Sequence, residues 1–279
     1  MNTWILLRGL TREARHWGVL PDALREGLDG IAGDAPAGES PRERVLTIDL
    51  PGNGGYAQLR APLRVAEMVD FVRAVARERG GPGPYCVLAM SLGGMVATCW
   101  AQRHPGEIAR LVLINTSMRP FSRFDERLRP QAWPEFLRAA WHWDAPSVAE
   151  AVIHRLTCNN GETRAADLKT WTDIRTSAPV SRANALRQLL AAARFSAGKR
   201  RPECATLVLS SREDGLVDPV CSASLAAAWG ADHWMHPWAG HDLPHDDPAW
   251  TVERIRAWLV QTAGCDENAE HSISRSMRP

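Results

Sequence analysis

Six short runs in this chain are strand candidates, most of them apolar on consecutive positions, and helix-patterned stretches separate them. The runs fall at residues 3–7, 45–50, 85–90, 110–115, 205–210 and 233–238. A strand with one wet face alternates apolar and polar residues, whereas a strand apolar throughout is covered on both faces. This pattern restricts the chain to the α/β class, with a mostly parallel central sheet flanked by helices. The clearest helix covers 67–79. Met68, Val69, Val72, Val75 and Ala76 share one face, with Arg73, Arg77 and Glu78 on another. Gly80-Gly81-Pro82-Gly83-Pro84 then stops it. Near the end, Pro248 opens a helix running to about Thr262. Val252, Ile255 and Leu259 lie on its buried side, and Asp247 is its N-cap.

One stretch breaks the alternation. From Met118 to about Pro202 there are helical patterns and loops but no strand, and this stretch carries Trp133, Trp141, Trp143 and Trp171. Roughly 80 residues without a strand are too many for one crossover connection. They read as an inserted helical cap over 118–202. The core is then 1–117 with 203–263, followed by a polar, mobile tail over 264–279. A chain of 279 residues, 45% of them hydrophobic, suffices for one such domain.

With 33 basic and 32 acidic residues, the net charge is +1, which excludes a nucleic-acid surface and an anionic-membrane partner. No stretch approaches the ~20 apolar residues of a membrane span. The start lacks a basic leader, and Arg8 interrupts its apolar run, so it does not read as a signal peptide. The expected compartment is the cytoplasm. The cysteines are Cys86, Cys99, Cys158, Cys204, Cys221 and Cys265. None forms a C-x-x-C pair, so they are expected to be reduced and mostly structural. The histidines lack metal-ligand spacing, and neither a metal nor a cofactor is expected.

The chemistry points to one corner, Ala89-Met90-Ser91-Leu92-Gly93-Gly94. It follows the strand at 85–90 and opens a helix over 92–103. A strand turning sharply into a helix with serine at the turn has the layout of a nucleophile elbow. The turn is strained, so the residues two before and two after the serine must be small; Ala89 and Gly93 are. The motif is usually written G-x-S-x-G, and here alanine replaces its first glycine.

With this corner, three further segments make nearly the whole chain resemble the α/β-hydrolase superfamily. Leu6-Leu7-Arg8-Gly9-Leu10, followed by His16-Trp17, is similar to the family's His-Gly loop. Asp49-Leu50-Pro51-Gly52-Asn53-Gly54 is similar to its D-x-P-G-x-G turn. Leu209 through Val217, then Gly240-His241-Asp242, resemble its acid and histidine loops. The first two strands of the family's eight-stranded sheet have no counterpart here. The order Ser91, Asp214, His241 is the family's order of nucleophile, acid and base. A serine hydroxyl needs a base to take its proton. Histidine, with an ordinary pKa near ~6.5, suits that task. The acid fixes the imidazole tautomer. Asp218 rivals Asp214, and His245 rivals His241, but the latter of each pair lies directly after a strand. The loop after the preceding strand, Asn115-Thr116-Ser117, offers no carboxylate. By resemblance, the oxyanion hole consists of the backbone N–H groups of Leu10 and Leu92. His16 and His104 read as structural.

Arg8 stands where the family commonly has histidine. It is a candidate to hold a substrate carboxylate by two parallel hydrogen bonds, or else to tie neighbouring loops. Arg12 and Arg15 lie on the same loop. Trp133 and Trp141 are candidates to line the pocket, or else to join cap to core. The expectation is a metal-free serine hydrolase acting on a small-molecule carboxylic ester through an acyl-enzyme. The same triad serves thioesterases, amidases, carbon–carbon hydrolases, perhydrolases, acyltransferases and lyases. A ligand-binding or receptor protein that retains the fold is the non-enzymatic alternative.

Overall fold

The computed structural model describes residues 2–29 and 43–276, with side chains described to residue 262. Six strands form one sheet: β1 (Thr3–Leu7), β2 (Arg44–Thr47), β3 (Tyr85–Met90), β4 (Ile108–Ile114), β5 (Ala205–Ser211) and β6 (Asp232–His236). Each falls on one of the six candidate runs. β2 ends three residues before position 50, where the chain approaches the Pro51-Gly52 turn. All five neighbouring pairs are parallel, in the order β2-β1-β3-β4-β5-β6.

Between β1 and β3 lie α1 (Leu20–Asp29) and, after β2, α2 (Val65–Gly80); α3 (Leu92–Arg103) follows β3. Between β4 and β5 come α4 (Phe124–Arg127), α5 (Trp133–Trp141), α6 (Pro146–Thr157), α7 (Arg164–Ser177) and α8 (Arg182–Arg194). α9 (Val220–Trp229) joins β5 to β6, and α10 (Leu243–Asp246) and α11 (Pro248–Ser276) close the chain.

The consecutively apolar strands feed two cores, because successive side chains point to opposite faces. Ile5, Leu7, Val87, Ala89, Leu111 and Leu113 pack with α2 and α3 residues such as Met68, Val72, Val96 and Trp100. Trp4, Leu6, Leu88, Val112 and Ile114 pack on the other face with Leu20 and Leu24 of α1 and Ile255 and Trp258 of α11. Asp247 caps α11 as expected, its Oδ1 accepting from the Trp250 N–H at 2.9 Å. That helix continues to Ser276, past the end at about Thr262 that apolar periodicity suggested.

The chain leaves β1 for β2 on one side, then crosses back to β3 on the other. Strand order reverses at this point, so the connections leaving the carboxyl ends of β1 and β3 part and open a crevice. The Arg8–Arg12 loop and Ser91 occupy it. The α4–α8 insertion is the helical cap. It contains no strand ladder; a single bridge joins Arg119 to Ser196. Among the described residues, no helix is long and apolar enough to cross a membrane.

Candidate active site

Ser91 sits at the junction of β3 and α3 with φ 54° and ψ −119°, the strained turn expected of an elbow. Its N–H donates to Ile114 O at 3.0 Å, and its C=O accepts from Thr116 Oγ1 at 2.8 Å. The need for a small residue after it has a direct cause. A Cβ on Gly93 would lie 2.3 Å from Leu7 O, because α3 starts against the end of β1. Gly9 meets the elbow from the other side, where an added Cβ would come within 3.0 Å of Ser91 Cβ. The two glycines let the β1 loop and the serine turn touch.

Asp214 and His241 come together at the ends of β5 and β6. His241 Nδ1 lies 2.7 Å from Asp214 Oδ2, and both side chains are buried. Asp214 Oδ1 accepts from the Leu216 and Val217 N–H groups at 2.8 and 2.9 Å, which fixes the carboxylate. Asp218 is placed elsewhere: it accepts from the Val220 N–H at 3.0 Å at the start of α9. His245 faces the cap, 3.1 Å from Asp167. Of each rival pair, the geometry brings Asp214 and His241 together and leaves the other out.

Ser91 and His241 line one cavity of about 250 Å³ between sheet ends and cap. Its walls are mainly apolar, with Leu10, Phe136, Trp143, Ile153, Leu156 and Leu189 among them. Leu10 and Leu92 flank the serine. Among the described residues, neither backbone N–H donates to a protein acceptor.

One expectation needs correction. Trp133 and Trp141 do not line the cavity. They lie on the outer side of α5, 42% and 80% exposed, while Phe136 and Ala139 of that helix face inward. The pocket tryptophan is Trp143, whose ring stacks under the Arg175 guanidinium at 4.0 Å. Arg8 borders the cavity, but its two terminal amino groups are engaged, while its Nε is buried without a partner. The NH1 and NH2 groups bond Asp242 Oδ1 and Oδ2 at 2.9 and 2.5 Å, and the guanidinium lies over Trp17. Burial pushes the Asp242 carboxyl up, but Arg8 outweighs burial and holds it below the ordinary carboxylate range. This pair ties the β1 loop to Asp242, the residue beside His241.

Sequence reasoning missed the residues that hold the loops. Gln188 of α8, fully buried, accepts from the Thr11 N–H at 2.9 Å and donates to Asn53 Oδ1 at 2.7 Å and Pro51 O at 3.2 Å. Asn53 Nδ2 in turn donates to Arg12 O at 2.8 Å. One cap side chain thus pins the β1 loop to the Pro51 turn. Asn115, at the position examined for a carboxylate, instead cradles the histidine loop. Its Nδ2 donates to His241 O at 2.8 Å, and its Oδ1 accepts from the Ser211 N–H at 2.9 Å. Glu150 of α6 lies between Arg12 and Arg175 at 2.7 and 2.9 Å, all three buried. The only sequence signal for these groups was polar residues inside otherwise apolar surroundings.

A parallel sheet with a serine elbow at its order reversal, facing a buried Asp–His pair, defines a class. The chain belongs to the α/β-hydrolase fold family, whose profile matches residues 17–248. Among curated relatives, the chain is 34% identical over 136 residues to the pimeloyl-[acyl-carrier protein] methyl ester esterase of Aromatoleum aromaticum. That match covers 49% of this chain and 45% of the relative. The enzyme of the same name from Chromobacterium violaceum is 34% identical over 112 residues, 40% of this chain and 36% of the relative. The matches span less than half the length of either relative. Among solved structures, a thermophilic esterase from Thermogutta terrifontis superposes with a TM-score of 0.67 at 21% identity, covering 94% of this chain and 90% of the other. The enol-lactonase from Burkholderia xenovorans gives 0.68 at 18% identity, covering 93% and 90%. At such identities these structures establish the fold alone.

Proposed function

We propose that this protein is a serine hydrolase that cleaves a small carboxylic ester with a largely apolar body. The observation that carries the reading is the 2.7 Å pairing of His241 with Asp214, with His241 and Ser91 on the wall of one apolar cavity. The names of two relatives, both methyl ester esterases, support an ester as the scissile group.

Asp214 holds the Nδ1–H of His241 and leaves Nε2 free to accept a proton. Ser91 Oγ attacks the ester carbonyl as His241 takes its proton, and the negative oxygen is met by the Leu10 and Leu92 N–H groups. His241 then gives the proton to the leaving alcohol, which departs as the acyl-enzyme forms. Water, deprotonated by His241, attacks the acyl carbon. The second tetrahedral intermediate collapses to free acid and serine. The cavity lies just below the ~300–1,000 Å³ of pockets for drug-sized ligands, which favours a small substrate. The NH1 and NH2 groups of Arg8 are turned to Asp242, and the rest of the lining is largely apolar.

The test is hydrolysis of short p-nitrophenyl esters by the native chain and by Ser91→Ala. Loss of the nucleophile is expected to lower kcat by about 10⁶-fold, the scale measured for a triad serine. Undiminished turnover in the variant refutes the reading.

A further inference from the structure

His154 and Cys158 stand one helical turn apart at the end of α6, joined by the Cys158 N–H to His154 O bond of 2.8 Å, so their side chains share a face. Asp167 of α7 and His245 of α10 meet them there. His154 Nε2 lies 3.0 Å and His245 Nε2 3.1 Å from the same oxygen, Asp167 Oδ2. A ligand atom from each of His154, Cys158 and His245 falls within 4.8 Å of the other two. The cluster lies between cap and core, and neither Ser91 nor His241 belongs to it.

Internal hydrogen bonding leaves this cluster incompletely satisfied. Three groups crowd one carboxylate oxygen: His154 Nε2 and Thr163 Oγ1 bond it at 3.0 and 2.7 Å, and His245 Nε2 approaches to 3.1 Å. His245 Nε2 is not aligned with Asp167 and remains a buried nitrogen without a partner. The Cys158 thiol has one weak contact, Thr157 Oγ1 at 3.6 Å. We propose that His154, Cys158, Asp167 and His245 form a binding site for one zinc ion that joins the cap to the core.

The geometry and donor chemistry agree. Tetrahedral zinc with bonds of ~2.0–2.1 Å to nitrogen and oxygen sets its ligand atoms about 3.3 Å apart. The two N···O edges are already at 3.0 and 3.1 Å. The sulfur, with a Zn–S bond of ~2.3 Å, needs an N···S edge near ~3.6 Å and reaches it by a side-chain rotation. Imidazole and thiolate are zinc's preferred donors, and one thiolate with one carboxylate cancels its charge. The second shell is present too. Thr163 supports the carboxylate, and Trp171 covers both imidazoles at 5.2 and 5.0 Å between ring centres. On binding, the thiol proton leaves to solvent, each ring presents an unprotonated Nε2, and no redox step is involved. The ion would tie α6 and α7 to α10, which begins just after His241.

The test uses the full-length protein, freed of metal by a chelator and gel filtration, then titrated with zinc chloride by calorimetry and with cobalt chloride by absorbance. The expected result is one equivalent of zinc and a rise in Tm. Cobalt should give the intense visible bands of a tetrahedral site and a thiolate charge-transfer band. Cys158→Ser should abolish the charge-transfer band, and both Cys158→Ser and His245→Gln should weaken zinc binding by a hundredfold or more. Ester turnover at room temperature should be the same with and without chelator, which separates this site from the triad. Absence of stoichiometric uptake by the native chain overturns the proposal. So does a pale octahedral cobalt spectrum, or uptake unaltered in both variants.

Discussion

The elbow and the cap contribute to the same cavity by different physics. Around Ser91, backbone meets backbone: Gly93 lies against Leu7 O, Gly9 against Ser91, and apolar layers pack above and below the sheet. The cap has only a small apolar cluster of its own, Cys158, Trp171 and Ile174. It reaches the core through a few apolar residues, Met118, Ala191 and Ala197, and through buried polar groups: Glu150 on Arg12, Gln188 on Thr11, and His154 with His245 on Asp167. Close packing resists any change of volume, whereas buried polar pairs impose direction and tolerate no missing partner. Damage to the elbow should therefore abolish chemistry. Damage to the cap contacts should misplace the groups that perform it.

The sharpest contrast within the core is between two aspartates. Asp214→Asn should lower kcat by about 10⁴-fold, as loss of the tautomer-fixing acid does in a triad. Asp218→Asn should leave turnover nearly unchanged. A larger loss at Asp218 in steady-state kinetics would overturn the assignment.

Across the cap boundary, Gln188→Ala leaves the Thr11 N–H and Asn53 without their buried partner. The β1 loop then relaxes, and kcat should fall by roughly ten- to a hundredfold, the cost of about 1 Å of misplacement. KM should change little. A pure KM effect would make Gln188 a substrate contact instead. Arg8→Gln strands the buried Asp242 carboxylate beside His241. The expected outcome is a similar loss of kcat on neutral and acidic esters alike. A rise in KM confined to acidic esters would restore Arg8 as a substrate ligand.

The smallest effect is in stability against pH. His16 is buried beside Arg12, and burial, then Arg12 and Arg8, hold its imidazole well below the ordinary 6.5. Its folded pKa lies below its unfolded one, so its contribution is complete above about 6.5 and is lost as pH falls toward the folded value. Urea midpoints should therefore drop between pH 7.5 and 5.5, and His16→Gln should flatten that slope. An equal slope in the variant would remove His16 from the account.

The difference between the regions also explains what the sequence revealed. Strands and elbow are written locally, in consecutive apolar runs and in small residues at fixed offsets from Ser91. The order Ser91, Asp214, His241 was legible because each lies in a loop after a strand. Gln188, Glu150 and Asn115 carry no such local mark. Their partners lie far along the chain, and only folding brings Gln188 to Thr11 or Asn115 to the histidine loop. The cap tryptophans misled for a related reason. Their number signals burial of large rings in general, yet α5 turns Trp133 and Trp141 outward and Phe136 inward.

Everything proposed for the site turns on Ser91, activated by His241, being the nucleophile. Labelling with a fluorophosphonate probe, followed by peptide mass mapping, tests it most directly. The account predicts one adduct per chain, on Ser91, forming quickly in the native protein and far more slowly in a His241→Gln variant. An adduct on another residue, or a Ser91 adduct whose rate ignores His241, would contradict it.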